Sequence, residues 1–215
     1  MPTMIRSFVI TFVLLLAGFA ASAGATTADP WLPLSRLRLA LESAGAQEMS
    51  FEQTFVPAGF TTGETESGTV FLDLPGCIRW DYLEPYPKSF LLCGTELHAW
   101  NPGEGTGQLY ALDETQPGLD LLLLDRPRLE ETYHAIPEKD EEGEWALTLK
   151  PRLDDGRALA SATIGFTPEG QGIREIRYED REGNRTRFRF GPARPVAAND
   201  LFRPPPGLRW ERETP

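Results

Sequence analysis

The sequence predicts a mainly β protein, one large, strongly curved antiparallel sheet of about eleven strands with two short helices plugging its concave face. Three observations lead there. Short runs of alternating apolar and polar residues recur from Met49 to Phe190, most of them bounded by Gly or Pro. Only two stretches carry a helical pattern. The chain's 20 Gly and 19 Pro among 215 residues supply the turns that so many short strands need. With 40% hydrophobic and 25% charged residues, the chain can build a core, and one domain is expected.

The first element is an address. Met1 to Arg6 carries one positive charge, Phe8 to Ala21 is an almost unbroken apolar run, and Ala21-Ser22-Ala23 offers small residues at a cleavage site. Residues 1–23 read as a secretory signal peptide, leaving 24–215 as a single exported domain. A membrane anchor is the alternative, but the run is shorter than the ~20 residues a spanning helix requires. No Cys follows the cleavage site to take a lipid.

After Asp29, Pro30 and Pro33, the leucines 34, 37, 39 and 41 among Arg36, Arg38 and Glu42 form a short amphipathic helix that should end near Gly45. Strands are expected at 49–56, 68–74, 77–82, 88–93, 96–100 and 107–112. A second helix follows Pro117, at 118–124. Leu119, Leu121, Leu122, Leu123 and Leu124 cannot all lie on one stripe, so this helix must be covered on most sides. Further strands are expected at 129–136, 144–150, 160–166, 172–179 and 185–190, with hairpin tips at 140–144, 168–172 and 182–184 by their Asp, Asn, Pro and Gly content.

One hairpin is especially informative. If Cys77 to Tyr82 turns about Pro85 into Lys88 to Cys93, antiparallel partners sum to 170. Ile78, Trp80, Tyr82, Phe90 and Leu92 then share one face, which turns toward the concavity, while Cys77, Arg79, Asp81, Leu91 and Cys93 share the other. The two cysteines fall opposite each other at a separation a disulfide spans, in a destination that oxidises thiols. Such a bond closes a loop of roughly 15 residues, worth about 3 kcal/mol in the chain-entropy model. Two reduced cysteines packed as small hydrophobes are the alternative.

The exclusions follow from composition. A net charge of −11, from 21 Lys+Arg against 32 Asp+Glu, leaves no basic footprint for nucleic acid and opposes adhesion to anionic membrane. Two His and two Cys are too few for a zinc cluster, and no metal or other cofactor is expected. No Ser or Cys stands in a nucleophile elbow. His98 and His134 sit in strand patterns, and the carboxylates of Asp154-Asp155-Gly156 and Asp140-Glu141-Glu142 read as turns. The protein is expected not to be an enzyme.

Residue by residue, the chain is similar to the periplasmic lipoprotein carrier family LolA. Phe51-Glu52-Gln53-Thr54-Phe55 resembles the family's F-x-Q-x-F strand. Gly68 to Leu72, Pro75-Gly76, Arg79-Trp80-Asp81-Tyr82, Pro85 and Tyr86 resemble its G-x-L-x-L-x-R-P-G-x-F-R-W-x-Y-x-x-P segment. Gly94, Leu97, Asn101, Pro102 and Gln108 continue the match, Leu119 to Leu124 stands where the family's second helix begins, and Leu201-Phe202 with Pro205-Pro206-Gly207 resembles its closing motif. The resemblance implies an incomplete barrel with a helical lid over a hydrophobic cavity. It also implies transfer of acylated lipoproteins, as a monomer in the periplasm, from an inner-membrane ABC-type release complex toward an outer-membrane acceptor.

Two residues depart from the pattern. Leu74 stands where the family has an arginine that points into the cavity and latches the lid, and Ile78 stands where it has Phe. Arg79 cannot replace that latch, being on the opposite face by alternation. Strand parity and family position together nominate Phe55, Val70, Leu72, Leu74, Ile78, Trp80, Phe90, Leu92, Leu121 and Leu122 as lipid-binding residues. An ordinary sandwich core is the bland reading of the same set. Two other functions compete with the lipoprotein carrier. One is a related carrier of a free lipid or glycolipid; the other is a lipid-sensing module of an envelope-stress regulator, which would ordinarily bring a second domain.

Overall fold

The structure, a computed structural model, describes residues 29–111, 119–140, 142–152, 159–198 and 200–212. The expected signal peptide at 1–23 lies outside the described residues, as does the start of the second expected helix at Gly118.

Helix α1 runs Leu32–Ala44, with Pro33 in its first turn, where the missing N–H leaves no hydrogen bond unmade. Its leucines at 34, 37 and 41 recur at helical spacing and are buried. Gly45 ends it at φ 70°, a conformation that favours glycine. Strands β1 (Gln47–Val56), β2 (Glu64–Asp73), β3 (Cys77–Glu84), β4 (Lys88–Cys93), β5 (Glu96–Trp100) and β6 (Thr106–Ala111) follow as an antiparallel meander. A 3₁₀ turn at Leu119–Leu122 and helix α2 (Arg126–Thr132) lead to a second meander, β7 (Tyr133–Lys139), β8 (Trp145–Pro151), β9 (Leu159–Phe166), β10 (Ile173–Asp180) and β11 (Arg185–Phe190). Strand β11 pairs antiparallel with β1, so the two meanders merge into one sheet. A short β12 (Arg194–Pro195) pairs with the start of β1, and β13 (Arg209–Arg212) adds in parallel to β6. The order β13-β6-β5-β4-β3-β2-β1-β11-β10-β9-β8-β7 leaves β13 and β7 unpaired with each other, and the sheet is curved but not closed.

The predicted register of the central hairpin holds, with Cys77 opposite Cys93, Ile78 opposite Leu92, Trp80 opposite Phe90 and Tyr82 opposite Lys88. Cys77 and Cys93 form a disulfide, their Cα atoms 4.3 Å apart. The hairpin tips read at 140–144, 168–172 and 182–184 each join two paired strands.

Three expectations need correction. The strand read at 129–136 is helical up to Thr132 and extended only from Tyr133. Asp125 caps that helix, its carboxylate accepting from the Arg128 N–H at 2.9 Å, and Pro127 favours the first turn. The helix read at 118–124 is, among the described residues, only a four-residue 3₁₀ turn at Leu119–Leu122. The C-terminal segment, for which no strand was expected, supplies β12 and β13.

That segment covers part of the outer face. Arg79 donates to the Leu201 carbonyl at 3.1 Å and to Asp81 at 2.9 Å, and its guanidinium lies 5.2 Å from the Trp100 ring centre. Trp210 meets Trp100 and His98 edge-on. It rests on Gly107, where a Cβ would collide with its ring. Leu91, on the outer face by alternation, is 1% exposed.

Candidate functional site

The concave face is built by alternation. Met49 and Phe51 of β1, Val70 and Leu72 of β2, Ile78, Trp80 and Tyr82 of β3 and Leu92 of β4 are all buried. From the second meander come Leu147, Leu149, Ala162, Ile164, Ile176 and Phe188. Leu34, Leu37 and Leu41 of α1, with Leu121, Leu122 and Leu129, join all of these strand residues except Leu92 in one hydrophobic cluster. The short helices thus fill the trough of the sheet with their own leucines.

Trp80 sits near the centre of this face at 4% exposure. Its ring centre is 5.0 Å from that of Phe51, 5.0 Å from Phe188 and 5.9 Å from Phe190. Its Nε1 is buried and reaches no acceptor among the described residues. The neighbouring Tyr82 hydroxyl instead donates to Gln53 Oε1, and burial pushes that phenol's pKa above its ordinary value. A buried donor without a partner carries a desolvation penalty that an incoming acceptor would relieve.

Of the ten residues nominated from sequence, Val70, Leu72, Leu74, Ile78, Trp80, Leu92, Leu121 and Leu122 are buried, all but Leu92 of them within this one cluster. Phe90 is half-buried and packs against it, its ring edge-on to Tyr82 at 5.8 Å. Phe55 lies near the end of β1 and is 37% exposed, on the same face as Phe51 by alternation. The sequence reading missed Phe51, Phe188 and Phe190, all in contact with Trp80. The signal was available in Arg185-Thr186-Arg187-Phe188-Arg189-Phe190, where apolar and cationic residues alternate and fix the two faces.

Among the described residues the lid, 119–132, is held at its end by Arg152, which donates to the Thr132 carbonyl at 2.9 Å and to the Glu130 carbonyl at 2.6 Å, and elsewhere mainly by exposed side chains. Leu74, in the latch position, is 6% exposed within the same cluster as Leu121, Leu122 and Leu129. Arg126 pairs with Asp29 at 2.8 Å ahead of α1 and with Glu130 at 2.5 Å within α2. Its hydrogen bond holds the Asp29 carboxyl below its ordinary range. All three side chains are solvent-exposed, so salt screens these pairs and they hold the lid weakly.

The chain is thus a half-barrel with an apolar trough under short helices, and comparison with known proteins specifies the family. The model of "Outer membrane lipoprotein carrier protein LolA" matches residues 42–205, and the chain belongs to that family. An outer-membrane lipoprotein carrier protein of Methylococcus capsulatus is 27% identical over 206 residues, covering 94% of this chain and 95% of the relative. One from Xanthomonas campestris pv. campestris is 29% identical over 161 residues, covering 73% of this chain and 76% of the relative. Among solved structures, an uncharacterised conserved protein of Thermus thermophilus superposes with a TM-score of 0.53 at 11% identity, covering 85% of this chain and 98% of that one.

Proposed function

We propose that the protein is a periplasmic carrier that takes the acyl chains of lipoproteins onto its concave face and moves them from the inner to the outer membrane. The observation that carries this reading is the continuous apolar trough filled by leucines of short, weakly fastened helices. When the lid swings out, acyl chains take the place of Leu121, Leu122 and Leu129 against Val70, Ile78 and Trp80. The exchange swaps one apolar contact for another. That matters energetically, because each buried methylene contributes about 0.8 kcal/mol, and three chains entering an empty cavity would be held too tightly to leave. Displacing the lid's own apolar surface offsets most of that gain, so binding stays reversible. With Leu74 in place of a latching arginine, opening breaks apolar contacts rather than a buried hydrogen bond.

In this reading residues 1–23 are the export signal, 24–215 are one carrier domain, and the ten nominated residues contact lipid. The partners are acylated lipoproteins, an ABC-type release complex in the inner membrane and an outer-membrane acceptor. The protein works as a monomer, performs no catalysis and needs no cofactor. Family membership and the names borne by relatives support the lipoprotein cargo. Mass spectrometry of material copurifying with the protein from the periplasm tests it: acylated polypeptides are expected, and free lipids in their place would assign a different cargo.

A further inference from the structure

One end of the sheet leaves large apolar side chains in solvent. Strands β1 to β4 form an antiparallel meander and β11 pairs antiparallel with β1, so the β1–β2, β3–β4 and β10–β11 connections all project from that end. At these tips Phe60 is 64% exposed, Leu83 59% and Tyr86 74%, and none of the three belongs to the hydrophobic cluster of the trough. Leu83 is set apart by a β-bulge: Tyr82 pairs with Gly68 and Glu84 with Ser67, and the extra residue between them has no partner in β2. Both tips are held. The Phe60 N–H donates to the Pro57 carbonyl at 3.1 Å, the Ala58 N–H donates to Asn184 Oδ1 at 2.9 Å, and Arg185 donates to the Phe60 carbonyl at 3.4 Å. Asn184 is itself fixed, donating to the Asp180 carboxylate at 2.7 Å. Gly63 admits no Cβ, which would collide with the Phe55 carbonyl, and Pro85 and Pro87 stiffen the other tip. Little freedom remains to be lost on binding, so these side chains are presented at low entropic cost.

Shape and charge select the partner. The β1–β2 tip is tied to the β10–β11 turn, whereas Leu83 and Tyr86 stand on the other side of β2, so the apolar surface is divided between separate protrusions. Three side chains of this exposure offer on the order of 400 Å². That is about half of the ~800 Å² that each partner buries in a stable protein complex. A bilayer needs no complementary shape, only apolar points that reach it together from one end of the molecule. Tyrosine, with an apolar ring and a polar tip, suits the head-group level. Charge does not supply the attraction. Lys88, Arg181 and Arg185 stand at this end with Glu64, Glu66, Glu84, Asp180 and Glu182, and the whole chain carries −11. We propose that the hairpin tips bearing Phe60, Leu83 and Tyr86 dip into the interface of a lipid bilayer by apolar contact, and that anionic lipid weakens the contact. Phe55, on the concave face between Phe51 and the β1–β2 tip, then faces the membrane end of the trough. Resting on the carrier reading, this seats the trough against the lipid that yields or receives acyl chains.

Flotation of the purified, cargo-free protein with phosphatidylcholine vesicles tests the tips alone. The native protein is expected to float with the vesicles. Phe60→Ser combined with Tyr86→Ser, both at exposed positions, should lower its partition coefficient about tenfold. Leu83→Glu, in the bulge, is an independent second variant with the same expected loss. Replacing about half of the phosphatidylcholine by phosphatidylglycerol should weaken binding, and added salt should then restore it by screening the repulsion. In both variants the response of Trp80 to acylated peptide should be unchanged, which shows the fold and the trough intact. The proposal is overturned if the native protein does not float, if both variants float as well as the native protein, or if binding requires phosphatidylglycerol. A native dimer that the double variant dissociates would assign the tips to a second copy of the chain and overturn it too. So would binding of the native protein, but not of the variants, to a detergent-solubilised membrane protein without flotation. A native protein that floats while Trp80 ignores acylated peptide would contradict the carrier reading and leave the role of the tips standing, and the reverse result would do the opposite.

Discussion

At Trp80 two properties that are usually opposed coincide, since the side chain fills the middle of an apolar face and carries a donor with no acceptor among the described residues. Truncating it should be severe. Trp80→Ala removes a ring in contact with Phe51, Phe188 and Phe190, and the cavity left behind should lower unfolding free energy by about 3–5 kcal/mol in a urea titration. Trp80→Phe retains most of the apolar area and loses the N–H, so it separates the two properties. If the indole donates to an acyl carbonyl once the lid opens, the native protein should bind an ester-linked lipid several-fold more tightly than its ether analogue, and Trp80→Phe should abolish that preference. Equal affinities in the native protein would limit Trp80 to packing. His98 is a different case. Burial against Trp210 lowers its pKa below the ordinary 6.5, so between the two values the unfolded chain binds the proton and the native chain does not. Its contribution to stability is complete above pH ~6.5 and is lost as pH falls through the lower, folded value. Urea midpoints measured between about pH 7.5 and 5.5 should therefore fall on acidification, and His98→Gln should flatten that slope; parallel slopes would show that another group titrates.

Among the elements, the β3–β4 hairpin and the lid make the sharpest demands. The Cys77–Cys93 disulfide pins the hairpin at the end remote from its turn, across 16 positions of sequence. Removing it with Cys77→Ser and Cys93→Ser together should cost about 2–4 kcal/mol, by relaxing the unfolded chain rather than by altering the register. Alkylation of the unfolded, unreduced native protein should find no free thiol, and two labelled cysteines would contradict the pairing. Leu74→Arg places a guanidinium in the cluster that holds Leu121, Leu122 and Leu129, where no latch partner is expected. Amides of Arg126–Thr132 should then exchange faster; unchanged exchange would mean that position 74 does not touch the lid. These elements also show what the sequence can tell. The hairpin register was legible because strict alternation from Ile78 to Leu92 admits one slip only at the expense of turning every apolar residue outward. Helix α2 was not, because Tyr133, Ala135 and Ile136 carry a strand pattern that runs back without a break into Leu129, and the cap at Asp125 precedes any apolar repeat. Strand β13 was hidden for another reason: the residue it packs on, Gly107, is about a hundred positions away, and the proline-rich stretch before it reads as loop.

The whole molecule is one sheet with two faces, and they differ in how far the sequence exposed them. The concave face was legible from alternation, and of the eight nominated residues that are buried, the five on strands, Val70, Leu72, Ile78, Trp80 and Leu92, are so because a period of two leaves a strand little choice once one side is covered. What alternation cannot supply is which distant strands meet. The pairing of β1 with β11, which brings Phe188 beside Trp80, joins the two meanders and is encoded in no local pattern. The covering of the outer face by the C-terminal segment escaped for the same reason. On this architecture the two ends of the sheet are not paired with each other, and among the described residues leucines of the short helices fill the trough. Fluorescence of native protein and of Trp80→Phe, each mixed with an acylated peptide and with the same peptide unacylated, tests that account most directly. Trp31, Trp100, Trp145 and Trp210 emit in both proteins, so the difference between them isolates Trp80. The acylated peptide should change the emission of the native protein, the unacylated one should not, and the response should shrink sharply in the variant. An equal response to both peptides would mean that the protein recognises polypeptide rather than lipid, and the carrier account would fall.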